Sequence, residues 1–349
     1  MNEPQGLLRE LLREARERGA SDLHLASGAP PLLRIDGMLT PAEAQAAPLG
    51  REQAQALLLP LLGERLERFD AEGEADLACE EDGCRYRLNV FRRLGGLGLA
   101  ARVLPSATPT LEELGLSRVL VDWAQRRQGL LLVTGPTGSG KSSTLAALVG
   151  HLNRTRSQHI VTLEDPIEHV YEQGLSLIDQ REVGRDTASF ASGLRAALRQ
   201  TPDVILVGEM RDAETMAAAL TAAETGHLVL STLHTADAPQ AVDRIVDAFG
   251  ADRQGQIRSQ LASLLIGVHA QRLVRRAGGR GRVCAAEILV NTPAVANLIR
   301  SEKVHQLRGV MQTGRQQGMA TLESSVQELL RQGAADPADA RACLQERGE

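Results

Sequence analysis

The 349-residue chain is poor in aromatic side chains, with only four Phe, two Tyr and one Trp. Proteins that hold single-stranded nucleic acid usually stack bases on several aromatic rings, so this scarcity argues against such a partner. The charge balance also argues against a nucleic-acid partner, because 39 basic and 44 acidic residues give a net charge of −5 without a long basic block. We therefore expect no nucleic-acid partner.

Cysteines and long apolar runs are also scarce. The four cysteines are too few and too scattered for the disulfide framework of a small secreted domain. Charged residues interrupt the leucines near the N-terminus, which excludes the apolar segment of a signal peptide. The best apolar run, Leu261 to Ala270, covers about half of the roughly 20 residues that a membrane helix needs. We expect a cytoplasmic protein that does not insert directly into the membrane.

The length predicts two domains. Residues 1–104 combine an amphipathic helix over 6–18, a second helix from about Arg51 to Phe69, and two strands around a Gly-rich hairpin. This mixture indicates a smaller α+β domain at the N-terminus. The Pro-punctuated residues 105–116 are expected to form a linker to the second domain.

The remaining residues, 117–349, form the predicted second domain. From Gly129 onward, short apolar strands alternate with helices, which predicts a parallel sheet covered by helices on both faces. After Asp237 the sequence is expected to be mainly helical, interrupted by one strand at 282–291. The fold class is therefore α/β.

A phosphate-binding loop lies between the first predicted strand and helix of this domain. Gly138 and Gly140 let the backbone wrap a polyphosphate, Lys141 reaches the terminal phosphates, and the Ser142 hydroxyl can ligate Mg²⁺. The predicted nucleotide-binding residues are Gly135, Pro136, Thr137, Gly138, Ser139, Gly140, Lys141, Ser142 and Ser143. The loop alone does not distinguish a motor from a GTPase or a small-molecule kinase.

Two carboxylates follow predicted strands of the same sheet. Glu164 could orient and deprotonate an attacking water, although an acidic turn before a proline is more often a helix cap or a solvated loop. Glu209 follows a buried strand that we expect beside the strand of the phosphate-binding loop, where it could hold Mg²⁺ through water.

Two histidines flank a further predicted strand, with His227 at its start and His234 just past its end. A single histidine on a strand is usually structural. His234 stands among hydroxyl side chains at the end of a buried strand, where an imidazole could sense a γ-phosphate.

These segments in this order, together with "ASDLHL" at residues 20–25, resemble the secretion and type IV pilus ATPase family. The segments "QREVGRDT", "LRAALRQTPDVILVGEMRD" and "LTAAETGHLVLSTLHT" are similar to its twitching-motility (pilus retraction) branch. The resemblance implies a PAS-like N-terminal domain and a RecA-like P-loop ATPase domain. It also implies a homohexameric ring that uses ATP with Mg²⁺ and lies at the inner membrane through a pilus platform protein.

The resemblance also assigns roles to residues outside the phosphate-binding loop. It implies a general base at Glu164 and a Walker B acid at Glu209. It further implies a histidine box made of His227 and His234.

In the N-terminal domain, Arg87 and Arg102 match positions that the family directs at the phosphates of a neighbouring subunit. Spacing alone does not distinguish this role from ordinary exposed charge on strands.

Two segments depart from the retraction branch. Where that branch typically reads "AIRNLIRE", this chain reads "AVANLIRS", so that Ala296 and Ser301 replace an Arg and a Glu, and "VHAQRLVRR" is closer to the assembly branch. These departures indicate a divergent paralogue of the retraction ATPase. A type II secretion or conjugation-type traffic ATPase, a regulatory paralogue in the pilus motor and a P-loop kinase are the alternatives. The intact motifs argue against a regulatory role, and the absence of an evident acceptor-binding lid argues against a kinase.

Overall fold

The computed structural model describes residues 4–35, 37–104, 107–279 and 281–345. The chain divides into two compact units. The first unit is Met1–Ala107 with Glu168–Val170, and the second is Thr108–Ile167 with Tyr171–Glu349.

The first unit is an antiparallel sheet with helices. In chain order, its elements are α1 (Pro4–Glu17), β1 (Asp22–Ala26), β2 (Leu32–Ile35), β3 (Met38–Pro41), α2 (Arg51–Leu62), α3 (Leu66–Glu72), β4 (Glu74–Glu81), β5 (Cys84–Arg93) and β6 (Gly96–Val103). The sheet order is β3-β2-β1-β6-β5-β4. Alternate residues of the strands pack with the leucines of α1 and α2 in one core, so the polar residues between them fall on the opposite face. The predicted α+β character is confirmed.

One predicted helix of this unit is interrupted. The sequence predicts a continuous helix from about Arg51 to Phe69, but α2 ends at Leu62, and a single 3₁₀ turn over Gly63–Arg65 leads into α3. Gly63 has a φ of 50° and a ψ of −126°, a conformation that residues with a Cβ rarely adopt. The leucine-rich sequence on both sides gives no sign of this break. The strand β4 was also not predicted from the sequence.

The second unit contains the parallel sheet. Its elements are α4 (Val119–Ala124), β7 (Gly129–Thr134), α5 (Lys141–Thr155), β8 (His159–Glu164), β9 (Leu177–Glu182), α6 (Phe190–Ala197), β10 (Val204–Val207), α7 (Ala213–Glu224), β11 (Leu228–Leu233), α8 (Ala238–Asp247), α9 (Ala251–Leu264), β12 (Leu265–Arg275), β13 (Arg282–Val290), α10 (Pro293–Arg300), α11 (Leu307–Thr313), α12 (Leu322–Arg331) and α13 (Pro337–Gln345). The sheet order is β13-β12-β7-β11-β10-β8-β9. Every neighbouring pair is parallel except β12 with β13. All residues of β7, β10 and β11 are buried, as expected for strands covered by helices on both faces. The predicted α/β class is confirmed.

The region after Asp237 differs from its prediction because it supplies two strands rather than one. The 11-residue strand β12 lies between β7 and β13, and it begins within the apolar run Leu261 to Ala270 and continues to Arg275. Its polar residues His269 and Gln271 are buried together with their apolar neighbours, so the sequence pattern does not mark one buried face and does not distinguish this strand from a buried helix. The edge strand β9 was also missed.

The expected linker, residues 105–116, belongs to the second unit from Thr108 onward. Leu111 is buried there in the same core as Trp123. Pro105 and Ser106 lie outside the described residues. Within the described ranges, no helix is both long enough and apolar enough to cross a membrane.

Candidate nucleotide site

The phosphate-binding loop connects β7 to α5, and glycines shape it at three points. Gly138 and Gly140 have φ values of 79° and 88°, in the left-handed region that glycine tolerates best. At Gly135 the φ is 144°, and an added Cβ would lie only 2.3 Å from the main-chain oxygen of Gln271 on β12. The loop therefore requires glycine at Gly135 for space as well as for conformation. The N-terminus of α5 directly after the loop is suited to an anion.

Lys141 is the first residue of α5, and its side chain folds back over the loop. The ammonium group donates to the carbonyl oxygens of Gly135 at 2.8 Å and Pro136 at 3.0 Å. Ser142, next in the chain, is exposed in the first turn of the helix. The loop thus holds a cation and a hydroxyl at the helix N-terminus.

The predicted acidic residues lie at the same edge of the sheet as this loop. The registers of the parallel strands bring the last residues of β7, β8, β10 and β11 to one edge. This edge therefore carries Glu164, Glu209 and His234 beside the phosphate-binding loop, which is where ligands bind in open α/β sheets. One expectation was wrong: β10, which precedes Glu209, is not next to β7, because β11 lies between them.

Glu164 is half-buried at the end of β8, and its orientation is fixed by two donors. Its Oε1 accepts a hydrogen bond from the Thr162 hydroxyl at 2.6 Å and another from the Gln180 amide at 3.1 Å. These contacts hold the carboxylate between side chains of β8 and β9.

Glu209 is largely buried, with 13% of its side chain exposed. The His234 Nε2 lies 3.3 Å from its Oε2, and the Arg211 guanidinium forms an ion pair with its Oε1. The hydrogen bond to Glu209 raises the pKa of Arg211 above its usual range. Arg211 was missed in the sequence analysis, although its place two residues after the acid in "GEMRD" was the available signal.

His227 lies at the opposite edge of the sheet. It precedes β11, whose first residue, Leu228, pairs with Gly129 at the start of β7. Its Nδ1 is 3.0 Å from the carbonyl oxygen of Ala222 and 3.2 Å from the Thr225 hydroxyl, at the end of α7. Within one chain, the structure therefore does not bring His227 together with His234 and the phosphate-binding loop.

Arg87 and Arg102 belong to the first unit. They face each other directly on the antiparallel strands β5 and β6. The Arg102 Nε donates to the Asp22 carboxylate at 3.1 Å, and 63% of the Arg102 side chain remains exposed. The structure thus pairs the two arginines on one face of the N-terminal sheet.

Gln271 and the pair Asp237–Arg308 also escaped the sequence analysis. The buried Gln271 side chain contacts the phosphate-binding loop and α5. Asp237 caps α8 by accepting from the Gln240 N–H at 2.8 Å, and it accepts from Arg308 of α11 at 2.7 Å. The only sequence signal for Gln271 was an amide directly after the apolar run that ends at Ala270.

Comparison with known proteins decides the family. The family described as "Type II/IV secretion system protein" matches residues 4–342 of this chain. The chain belongs to this family. The resemblance found from the motifs is confirmed, and it extends over nearly the whole length of the chain.

Individual relatives are similar over comparable lengths. The chain is 46% identical to the type IV pilus retraction ATPase PilT of Pseudomonas aeruginosa strain PAO1, over 95% of this chain and 96% of that protein. It is 48% identical to the uncharacterised protein YggR of Escherichia coli K12, over 93% of this chain and 99% of that protein. A crystal structure of the pilus retraction motor PilT with bound ADP matches with a TM-score of 0.88 and 44% identity, over 96% of each chain. The fold and the place of the chain in an ATPase family rest on these matches.

Proposed function

We propose that this protein is an ATP-hydrolysing motor that powers retraction of type IV pili. The observation that carries the proposal is similarity over almost the full length to a retraction ATPase. The convergence of the phosphate-binding loop, Glu164 and Glu209 on one sheet edge supports it, because hydrolysis needs all three kinds of group together.

In this proposal, main-chain N–H groups of the phosphate-binding loop and the N-terminus of α5 hold the phosphates of ATP. Lys141 exchanges its two carbonyl acceptors for phosphate oxygens, which are stronger acceptors for an ammonium group. The Ser142 hydroxyl and the Glu209 carboxylate, the latter through water, would hold Mg²⁺, and these oxygen donors are the type that Mg²⁺ prefers. When bound, Mg²⁺ neutralises charge on the terminal phosphates.

Glu164 acts as the general base. Its two hydrogen-bond donors fix the carboxylate, so it can orient the attacking water and accept its proton without first losing rotational freedom. A carboxylate at a strand end that served only as a helix cap would not require this side-chain support from Thr162 and Gln180.

Glu209 contacts Arg211, which follows it in the chain, and His234, which follows β11. Because the imidazole lies within 3.3 Å of the Glu209 carboxylate, a change at the terminal phosphate can alter both side chains together. We assign His234 to sensing of the γ-phosphate. Among the described residues, the hydrogen bonds of His227 are with the end of α7, so a part for it in the same sensor requires a neighbouring subunit.

The proposal includes a homohexameric ring docked on a pilus platform protein at the inner membrane. In such a ring, Arg87 and Arg102 would reach the phosphates bound by a neighbouring subunit. Their direct pairing on one sheet face supports this role, because two adjacent guanidinium groups suit a polyphosphate.

A second candidate function is that of a paralogue in the same class, acting in protein traffic or in regulation of a pilus motor. It is favoured by α10, where the retraction signature is altered. Ala296 is 8% exposed and packs in the core, so this position offers no room for the long charged side chain of the signature. Ser301 follows the helix as an exposed residue.

Complementation of a retraction-deficient strain distinguishes the two candidates. We expect the wild-type chain to restore twitching, and Lys141→Ala, which removes the phosphate-binding cation, to restore none at equal expression. The purified wild-type protein should hydrolyse ATP whether it drives retraction or protein traffic. ATP hydrolysis without any restored twitching would reject retraction and favour a traffic role, whereas absence of hydrolysis would reject both motors and leave the regulatory role.

A further inference from the structure

A buried amide links β12 to the phosphate-binding loop. Gln271 is 2% exposed, and both ends of its side-chain amide are used. Its Nε2 donates to the carbonyl oxygen of Ser139 at 2.6 Å, and its Oε1 accepts from the Thr144 hydroxyl at 2.9 Å. Because a carbonyl oxygen can only accept, the Ser139 contact fixes which end of the amide is the NH₂ group.

The Ser139 contact determines the direction of a neighbouring N–H group. In a planar trans peptide the C=O and the following N–H point in opposite directions, so a carbonyl held by Gln271 directs the Gly140 N–H away from it. Gly140 follows Ser139 in the loop with a φ of 88°. A glycine places no steric barrier against rotation of this peptide, so its conformation depends on hydrogen bonds rather than on a Cβ.

Thr144 completes this arrangement from α5. Its hydroxyl donates to the same amide, and its N–H donates to the Gly140 carbonyl oxygen at 3.0 Å. An added Cβ at Gly140 would lie 3.2 Å from the Gln271 Nε2, which shows how closely the amide approaches the loop. The amide thus contacts the peptides on which phosphate binding depends.

We propose that Gln271 is a positioning residue of the nucleotide site, which holds the Ser139–Gly140 peptide so that its N–H faces bound phosphate. This inference rests on the proposed function, because it requires a nucleotide at the loop. Gln271 itself does not touch the phosphates in this proposal. It affects phosphate binding only by fixing the orientation of the Ser139–Gly140 peptide.

The expected effect follows from one charge-assisted hydrogen bond. If the peptide rotates freely when the amide is lost, a bound phosphate loses a preformed N–H donor, which corresponds to about 10- to 100-fold in affinity. Gln271→Met keeps the length and the apolar packing but has no donor. Gln271→Glu keeps an acceptor for Thr144 but, when ionised, cannot donate to Ser139.

Titration with the fluorescent nucleotide mant-ADP in the presence of Mg²⁺ tests the proposal on the full chain. Both Gln271 variants should raise Kd about 10- to 100-fold while binding one nucleotide per chain at saturation. Thr144→Val is the matched control, because it removes a hydroxyl from the same amide but leaves the Ser139 contact, and its Kd should rise only a few fold. Thermal unfolding without nucleotide measures the structural effect of each variant separately.

A structural role alone gives a different result. If Gln271 has only a structural role, its variants would have a lower unfolding temperature or fewer competent sites, but the folded protein would have an unchanged Kd. That outcome overturns the proposal. If Gln271→Met does not fold, the Kd of Gln271→Glu decides in the same way. A wild-type chain that binds no mant-ADP would instead refute the proposed function, and this inference with it.

Discussion

The segment that follows His234 is held by an ion pair whose contribution can be measured. Asp237 has 3% of its side chain exposed and contacts two helices: it accepts from the Gln240 N–H and side-chain amide at the start of α8, and from the Arg308 guanidinium of α11. Arg308 is 55% exposed, so solvent screens the pair on its side. The two contacts can be separated by substitution.

We predict different losses for two substitutions of Asp237. Asp237→Asn keeps a good capping oxygen and loses the charge, which should cost about 1 kcal/mol because the partner is half exposed. Asp237→Ala loses the cap as well, which adds about 1 kcal/mol, so the total should be about 2 kcal/mol. Arg308→Met removes the other partner, and the double variant with Asp237→Asn should reveal a coupling of about 1 kcal/mol.

Chemical denaturation at pH 7 followed by tryptophan fluorescence is the suitable assay. Trp123 is the only tryptophan of the chain and is buried in the second unit, so its emission reports unfolding of the unit that contains this pair. Equal losses for Asp237→Asn and Asp237→Ala would refute the capping argument. A coupling below about 0.3 kcal/mol would refute the contribution of the ion pair.

Three further outcomes follow from the structure. Glu164→Gln should bind ATP normally and slow hydrolysis by about 10²- to 10⁴-fold, as expected for loss of a general base, and near-normal turnover would reject that role. Gly135→Ala should abolish nucleotide binding because of the 2.3 Å contact of its Cβ, whereas Gly138→Ala, which has open space at its Cβ, should weaken binding only moderately. Burial lowers the pKa of His269 to about 4, so the unfolded chain binds a proton more readily below pH 6.5, and this residue alone should lower stability by about 2 kcal/mol from pH 7 to pH 5. In denaturation curves at both pH values, the fall should be about 2 kcal/mol smaller in His269→Val and unchanged in His305→Gln, which alters an exposed histidine. An unchanged fall in His269→Val would show that other groups cause it.

Much of the fold and of the site could be predicted because the relevant signals are local. The phosphate-binding loop needs its glycines, lysine and serine at fixed spacing, and the structure shows why at Gly135, where a Cβ has no room. Glu164, Glu209 and His234 could be placed together because parallel strands bring their carboxyl ends to one edge.

The parts that could not be predicted depend on contacts distant in sequence. Gln271 meets Ser139 across 132 positions, and Arg308 meets Asp237 across 71 positions, so no local spacing reveals either pair. The strand β12 buries its polar residues His269 and Gln271 together with the apolar residues that alternate with them, so its sequence pattern does not mark one buried face. The order of β7, β11 and β10 likewise depends on crossover connections that a strand's own sequence does not encode.

The central claim is that a ring of these chains hydrolyses ATP at sites that combine the phosphate-binding loop of one subunit with the arginine pair of another. The most direct test is the ATPase rate of rings assembled jointly from Lys141→Ala and from the double variant Arg87→Ala/Arg102→Ala, with joint assembly verified by tagged pull-down. Each variant alone should be nearly inactive, since an arginine supplied by a neighbour contributes about 10³- to 10⁵-fold in related phosphoryl-transfer sites. Arg68→Ala on α3 serves as the control for loss of an exposed arginine. We predict that mixed rings regain part of the activity that neither variant shows alone. Mixed rings that stay as inactive as their parents, while wild-type subunits mixed in the same way restore activity, would contradict the claim.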